Sequence, residues 1–161
     1  MIHRNILIVS IVYVLLLISV MTSDWSVSDG IGINKLSFGL WKNCVDKSCG
    51  NIERIYNNNF PKSMLYVCRA LAIISLLCLL VCVYLQYTNK LENVNLLIFI
   101  SGLLMLLTCI IWAVEFRKIT ISGSNPIPST SVTYTLGYSF YLILLSGLMC
   151  IALASYNKNK I

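Results

Sequence analysis

Residues 39–49 read Gly-Leu-Trp-Lys-Asn-Cys-Val-Asp-Lys-Ser-Cys and lie in a polar stretch between two long apolar segments. Cys44 and Cys49 belong to this stretch, whereas the other five cysteines lie within apolar runs, where a thiol behaves as a small apolar group. The intervening Asp46-Lys47-Ser48 is typical of a turn, which would bring the two sulfurs together. Two interpretations stay open, a disulfide or two free thiols, and a disulfide would place this stretch in an oxidising compartment.

The composition of the whole chain is that of a membrane protein. Hydrophobic residues make up 58% of the 161 residues, charged residues make up 11%, and the mean hydropathy is +0.81. Four apolar runs are each close to the ~20 residues that carry a helix across a bilayer, namely 6–21, 66–87, 96–114 and 134–156. Because these runs are continuously apolar and do not alternate with period two, they favour helices. The sequence therefore predicts an all-α membrane fold, a four-transmembrane-helix bundle that forms a single domain over residues 1–161.

The first apolar run has a second interpretation as a signal peptide, because His3 and Arg4 precede it and the run is short for a spanning helix. Residues 20–24 offer no cleavage site made of small residues, however, and Trp25 lies where an aromatic side chain would anchor a retained helix at the membrane boundary. We therefore expect the first helix to remain in the protein.

Four spans place both termini on one side of the membrane and the two larger loops, residues 22–65 and 115–133, on the other. Positive charges are denser in the terminal segments and the short loop, which favours a cytoplasmic location for the termini. A disulfide between Cys44 and Cys49 would favour the same orientation. We expect an integral protein of the plasma membrane with two extracellular loops.

The first outer loop contains short runs rich in aromatic and β-branched residues, separated by glycines and asparagines: 25–27, 35–41 and 52–56. We expect these runs to form a small extracellular antiparallel β-sheet. Isolated hairpins are marginal in water, so the sheet would depend on the Cys44–Cys49 bond and on burial of Leu40 and Trp41 near the helix ends.

Several classes of function find no support in the sequence. A zinc site lacks ligands, because the only histidine, His3, is predicted on the opposite side of the membrane from the cysteine pair. No nucleophile motif, carboxylate pair or phosphate-binding loop indicates an enzyme or a cofactor. The net charge of +6 is dispersed over the loops, so nucleic-acid binding is not predicted. Lys158 and Lys160 instead favour a modest attraction to anionic lipid.

The loop and helix motifs resemble those of a known family. Trp25, then Gly39-Leu40-Trp41, then Cys44 and Cys49 resemble the extracellular signature W…GLW…C…C of the claudin, epithelial membrane protein and peripheral myelin protein superfamily. The entry to the second apolar run, with Arg69, resembles that of the same superfamily. The fourth run begins with a motif similar to that of the epithelial membrane proteins and the calcium-channel gamma subunits: Gly137, Tyr138, Ser139 and Phe140. The chain length is most similar to that of the epithelial membrane protein branch.

Other features depart from the junctional claudins. Fewer residues separate Cys44 and Cys49 than in most claudins, and the second outer loop, with Pro126 and Pro128, lacks their aromatic-proline pattern. The C-terminal residues do not resemble the PDZ-binding tail of those proteins, and the sequence contains no N-glycosylation sequon. The resemblance therefore points to the superfamily more than to a junctional claudin.

Arg69 is the residue that stands out within the apolar runs, because a charge near the bilayer centre is costly. We expect it to act as a clamp between the second helix and the extracellular sheet, although a snorkelling arginine without such a role is the alternative. Glu115 is a candidate partner for Arg69, and it has alternatives in Arg117, Lys118 and solvent.

The resemblance implies a structural or adhesive protein that acts in cell–cell contact or membrane organisation through its outer loop. Its expected partners are the lipid bilayer and either a second copy or another membrane protein. The alternative is an auxiliary subunit that alters the gating or trafficking of an ion channel or receptor. Frequent Ile, Asn and Lys are typical of an AT-rich genome, such as that of an invertebrate or a large DNA virus. A virus-encoded protein that acts on host-cell contacts or in the envelope is therefore a further alternative.

Overall fold

The computed structural model of the chain describes residues 2–29, 35–45, 48–51, 62–88, 94–116, 118–121 and 130–158. Within these residues lie four helices, which we number in chain order as α1 (Ile2–Met21), α2 (Lys62–Tyr87), α3 (Val94–Glu115) and α4 (Tyr138–Lys158). The predicted helical fold is confirmed.

Three of these helices are both long and apolar enough to cross a membrane, namely Lys62–Tyr87, Val94–Glu115 and Tyr138–Asn157. The apolar part of α1, Asn5–Met21, is shorter. The whole of α1 has 20 residues, which rise about 30 Å and match the thickness of the hydrocarbon core.

The four helices pack in a ring, in which α1 contacts α2 and α4 while α3 contacts the same two helices. Small residues allow the close approaches between neighbours. The hydroxyl of Ser101 on α3 donates to the backbone carbonyl of Ser75 on α2 at 3.0 Å. A Cβ added at Gly102 on α3 would lie 3.0 Å from the carbonyl oxygen of Gly147 on α4. These small residues therefore serve packing within the molecule.

A five-stranded antiparallel sheet covers the end of the bundle at which α1 ends and α4 begins, which we call the sheet end; the opposite end is the terminal end. Its strands, numbered in chain order, are β1 (Ser26–Asp29), β2 (Lys35–Phe38), β3 (Lys42–Val45), β4 (Ser48–Asn51) and β7 (Thr135–Leu136). Their order across the sheet is β4-β3-β2-β1-β7. A separate antiparallel pair joins β5 (Lys118–Ile121) to β6 (Thr130–Thr133).

The structure corrects the expected starts of three helices, and two of them, α1 at Ile2 and α2 at Lys62, begin four residues before their apolar runs. The fourth helix was expected from residue 134, but Thr135 and Leu136 form a strand that pairs with β1, and the helix begins at Tyr138. The backbone N–H of Gly137 donates to the carbonyl of Trp25 at 2.9 Å, which continues the attachment of this segment to the sheet. Apolar character alone does not distinguish such a strand from the first turn of a helix.

The strands also differ in part from those expected. The third predicted strand, residues 52–56, lies outside the described residues. Two further strands, β3 and β4, contain Cys44 and Cys49, and Gly50 lies within β4 opposite Asn43, although glycines of this loop were expected to separate strands.

Candidate functional site: the sheet–helix junction

A set of contacts, which we call the sheet–helix junction, holds the sheet in position on the helix bundle. It consists of the side chains and backbone groups through which the sheet contacts the helices, and its members are Ser19, Trp25, Ser26, Gly39, Leu40, Arg69, Trp112, Gly137 and Ser139. Six of these residues belong to the predicted site: Trp25, Gly39, Leu40, Arg69, and Gly137 and Ser139 of the fourth-helix motif.

Trp25 lies at the centre of the junction and is completely buried. Its indole Nε1 donates to the carbonyl of Ser19 at the end of α1, at 2.8 Å. Its backbone N–H donates to the carbonyl of Phe38 in β2, also at 2.8 Å. A buried indole N–H needs an acceptor, and here that acceptor belongs to the helix. Trp25 therefore joins α1 to the sheet through both its side chain and its backbone.

Trp112, on α3, is a junction residue that sequence reasoning did not identify. Its ring centroid lies 4.9 Å from that of Trp25, and its Nε1 donates to the hydroxyl of Ser26 in β1 at 2.9 Å. The ring also stacks on Phe116 with a centroid distance of 4.3 Å. The sequence did offer one signal for this residue, because Trp112 is a tryptophan close to the end of an apolar run.

The signature glycines, Gly39 and Gly137, lie where two backbone segments touch. A Cβ added at Gly39 would come within 2.6 Å of the Thr22 carbonyl oxygen and the Ser23 Cα. A Cβ added at Gly137 would overlap the carbonyl group of Asp24. Side chains are excluded at both positions because the obstructing atoms are backbone atoms, which cannot rotate away.

The fourth-helix motif attaches α4 to α1. The hydroxyl of Ser19 donates to the carbonyl of Ser139 at 2.6 Å, and the hydroxyls of Thr22 and Ser139 share a hydrogen bond of 2.7 Å. The two aromatic residues of the motif differ, because Phe140 is buried whereas Tyr138 is exposed. Exposed tyrosines at a helix end are typical of the membrane–water boundary.

Arg69 connects α2 to the loop between β2 and β3. The side chain is only 8% exposed, and its Nε donates to the backbone carbonyl of Leu40 at 2.7 Å. Its guanidinium carbon also lies 4.8 Å from the centroid of the Trp41 ring and 5.4 Å from that of Tyr66, within the range of a cation–π interaction. These contacts join α2 to the loop, and the role of Arg69 as a clamp stays a prediction. Glu115 is exposed at the end of α3, and its pairing with Arg69 stays a prediction.

The predicted disulfide is present between Cys44 and Cys49, which face each other across β3 and β4 with their Cα atoms 4.1 Å apart. Sγ of Cys44 lies 3.5 Å from the hydroxyl of Ser23, just after α1. The bond therefore closes a hairpin that is itself held against the end of the first helix.

Residues 40–42, at the turn between β2 and β3, differ in exposure. Leu40 is completely buried, as expected, whereas Trp41, which was also expected to be buried, is 36% exposed, and Lys42 is exposed as well. Among the described residues, no group of three or more His, Cys, Asp or Glu side chains is placed to hold a metal ion. The turn is therefore anchored through Leu40 and presents Trp41 and Lys42 on the surface of the protein.

Comparison with known proteins agrees with this architecture. A comparison of the sequence with curated proteins gives no significant match. The model of the PMP-22/EMP/MP20/Claudin family matches residues 2–154, a range that includes all four helices up to the last turn of α4 together with the sheet. Since this match covers nearly the whole sequence, the chain belongs to the PMP-22/EMP/MP20/Claudin family of membrane proteins.

Proposed function

We propose that this protein is a non-enzymatic structural protein of the plasma membrane that mediates contact between cells through its outward sheet. The observation that carries the proposal is the sheet–helix junction, which fixes the sheet to α1, α2, α3 and α4. A surface that is already ordered loses little conformational entropy when it binds. The proposed partner of this surface is a second copy of the chain or a related membrane protein on the neighbouring cell.

The orientation of the protein forms part of this proposal. Disulfides persist in oxidising compartments, and the Cys44–Cys49 bond lies in the sheet. The start of α1 and the end of α4 lie at the opposite end of the bundle from the sheet. We therefore place the sheet outside the cell and the termini in the cytoplasm.

The exposed residues of the sheet supply the proposed contact surface. Trp41 combines an exposed ring with a backbone position fixed by the neighbouring Leu40. Tryptophan is enriched among the residues that contribute most to protein–protein binding. Lys42 directly follows Trp41 and is exposed, and Ser48 is exposed farther along the same hairpin, on β4.

The proposal can be tested by mixing cells that express a fluorescent form of the protein with cells that do not. Enrichment at boundaries between two expressing cells, and not at boundaries with non-expressing cells, is the expected result. Trp41→Ala should reduce this enrichment while leaving surface expression unchanged. Leu145→Ala is the matched control, because Leu145 is exposed on the lipid-facing surface of α4.

Uniform distribution of the wild-type protein over the cell surface would contradict the proposal. Chemical crosslinking of the gently extracted protein then distinguishes the alternative. A fixed stoichiometric complex with a channel or receptor would favour the auxiliary-subunit function, whereas crosslinked homo-oligomers would favour contact formation.

A further inference from the structure

A crevice separates α1 from α4 at the terminal end of the bundle. Its volume is about 450 Å³, which lies within the range of small-molecule binding sites. It is lined by Asn5, Ile8, Met149, Ala152, Leu153 and Tyr156.

The crevice is short enough to lie within one leaflet of a membrane. Its lining on α4 runs from Met149 to Tyr156, eight residues whose ends are about 10 Å apart along the helix. One leaflet contributes about 15 Å of hydrocarbon. Leu7 on α1 and Leu148 on α4 are 59% and 52% exposed, so both helices present apolar side chains to the bilayer at this level. The surrounding medium of the crevice is therefore lipid.

The walls of the crevice are amphipathic. Ile8, Met149 and Leu153 supply an apolar lining, and Asn5 supplies a polar group at the end nearest the membrane boundary. The side chain of Asn5 donates to Oδ1 of Asn157 at 3.3 Å, and Asn157 donates in turn to Oδ1 of Asn95 at 3.0 Å. These three amides connect α1, α4 and α3 at a single depth.

The amide of Asn5 retains hydrogen-bonding capacity. A primary amide has two N–H donors and one carbonyl acceptor, and the hydrogen bond to Asn157 uses one donor. A second donor at the polar end of an apolar crevice is suited to the ester or phosphate oxygen of a lipid. In the sequence, the basic residues Arg4 and Lys158 directly adjoin Asn5 and Asn157, and basic residues in segments next to a membrane favour anionic lipid.

We propose that the crevice binds an anionic phospholipid from the leaflet on the side of the termini. One acyl chain lies between α1 and α4 against Ile8 and Leu153, and the polar group beneath the headgroup accepts a hydrogen bond from Asn5. This site lies at the opposite end of the bundle from the sheet and does not depend on the proposed function.

The experiment uses the full chain in phosphatidylcholine nanodiscs that contain a trace of phosphatidylserine with a photoreactive acyl chain. After illumination, mass spectrometry maps the labelled residues. Labelling should concentrate on the segments that contain Ile8 and 149–153. Ala152→Phe, which fills the crevice, should reduce this labelling by about tenfold, equivalent to about 1.4 kcal/mol of binding free energy. Ala70→Phe is the matched control, because Ala70 is an exposed alanine on α2, and it should leave labelling unchanged.

Labelling spread evenly over the lipid-facing surfaces of all four helices would overturn the proposal, as would equal losses in the two variants. An otherwise identical phosphatidylcholine probe tests the headgroup, and equal labelling of the crevice by both probes would overturn the anionic assignment. Should Ala152→Phe fail to fold, as judged by size-exclusion chromatography and circular dichroism, the wild-type labelling map decides between these outcomes.

Discussion

The two ends of the helix bundle are held together in different ways. At the sheet end, completely buried tryptophans contact each other and hydrogen bonds join helices to strands, as in the 2.9 Å bond from Trp112 to Ser26. At the terminal end, α1 and α4 are joined by the 3.3 Å bond between Asn5 and Asn157, beside an open crevice. The difference indicates that packing at the sheet end fixes the position of the sheet, while the terminal end leaves space for lipid.

The largest expected effect is that of Trp25→Ala at the sheet end. Replacement of a buried tryptophan by alanine typically costs ~3–5 kcal/mol, and this change also removes the indole bond to Ser19. The free energy of unfolding in detergent micelles, followed by circular dichroism, measures the loss. Trp41→Ala is the control, because Trp41 is 36% exposed and should cost about 1 kcal/mol or less. Equal losses in the two variants would contradict a junction centred on Trp25.

The next effect is a difference between Gly137, which touches the backbone of Asp24, and Gly147, which touches the neighbouring helix α3. Gly137→Ala places a methyl group on the backbone of Asp24, and we expect a loss of about 3 kcal/mol, at the upper end of typical overpacking costs. A Cβ added at Gly147 meets Leu106 Cδ2 and Met105 Cβ at 3.2 Å and the Gly102 carbonyl oxygen at 3.3 Å. These contacts need only a small shift of the neighbouring atoms, so a loss of about 1 kcal/mol is expected. Thermal unfolding of both variants measures the difference. A more stable Gly137→Ala than Gly147→Ala would be inconsistent with the close backbone approach.

A smaller effect is expected for Arg69→Met, which leaves the Leu40 carbonyl without its charged donor. Hydrogen bonds to charged groups contribute ~1.5–3 kcal/mol, so a loss in this range is expected. The Cys44–Cys49 bond should also be reduced faster by a membrane-impermeant thiol, because β3 follows the clamped loop directly. Lys62→Met is the control, since Lys62 is exposed at the start of α2. Unchanged stability and reduction rate in Arg69→Met would refute the clamp.

The smallest effect is expected at the terminal end, where Asn157→Ala removes two amide hydrogen bonds. Hydrogen bonds between membrane helices average ~0.6 kcal/mol each, so a total near ~1 kcal/mol is expected. Ser155→Ala, at an exposed position on the same helix, should change nothing measurable. The free energy of unfolding measures both changes. A loss in Asn157→Ala as large as that in Trp25→Ala would contradict the view that the sheet end is the more strongly packed of the two ends.

Much of this fold could be predicted from the sequence, because each helix corresponds to a long apolar run and the disulfide to a cysteine pair in a polar loop. The start of α4 could not, since Tyr134 and Leu136 are as apolar as the helix that follows. Only the pairing of Thr135 with Val27 across the fold makes this segment a strand. Strand pairing between distant segments leaves no local pattern in the sequence.

The same limit applies to the candidate site. Trp25, Gly39 and Arg69 could be identified because they lie in recognisable motifs. Trp112 could not, because its contact with Ser26 joins residues that are far apart in the sequence. The amides of Asn5, Asn95 and Asn157 also come together only through helix packing. Each lies close to the end of an apolar run, and this shared position was the one available signal.

Hydrogen–deuterium exchange of the protein in nanodiscs tests the central claim, that the junction holds the sheet and the sheet end of the bundle as a single unit. Amides of the sheet and its attachments, including those of Trp25, Gly39 and Gly137, donate to backbone carbonyls and should exchange as slowly as those of the adjoining helix ends. Trp25→Ala should accelerate exchange in both together. Rapid exchange throughout the sheet of the wild-type protein, with slow exchange in the helices, would show that the junction does not fix the sheet and would contradict the account.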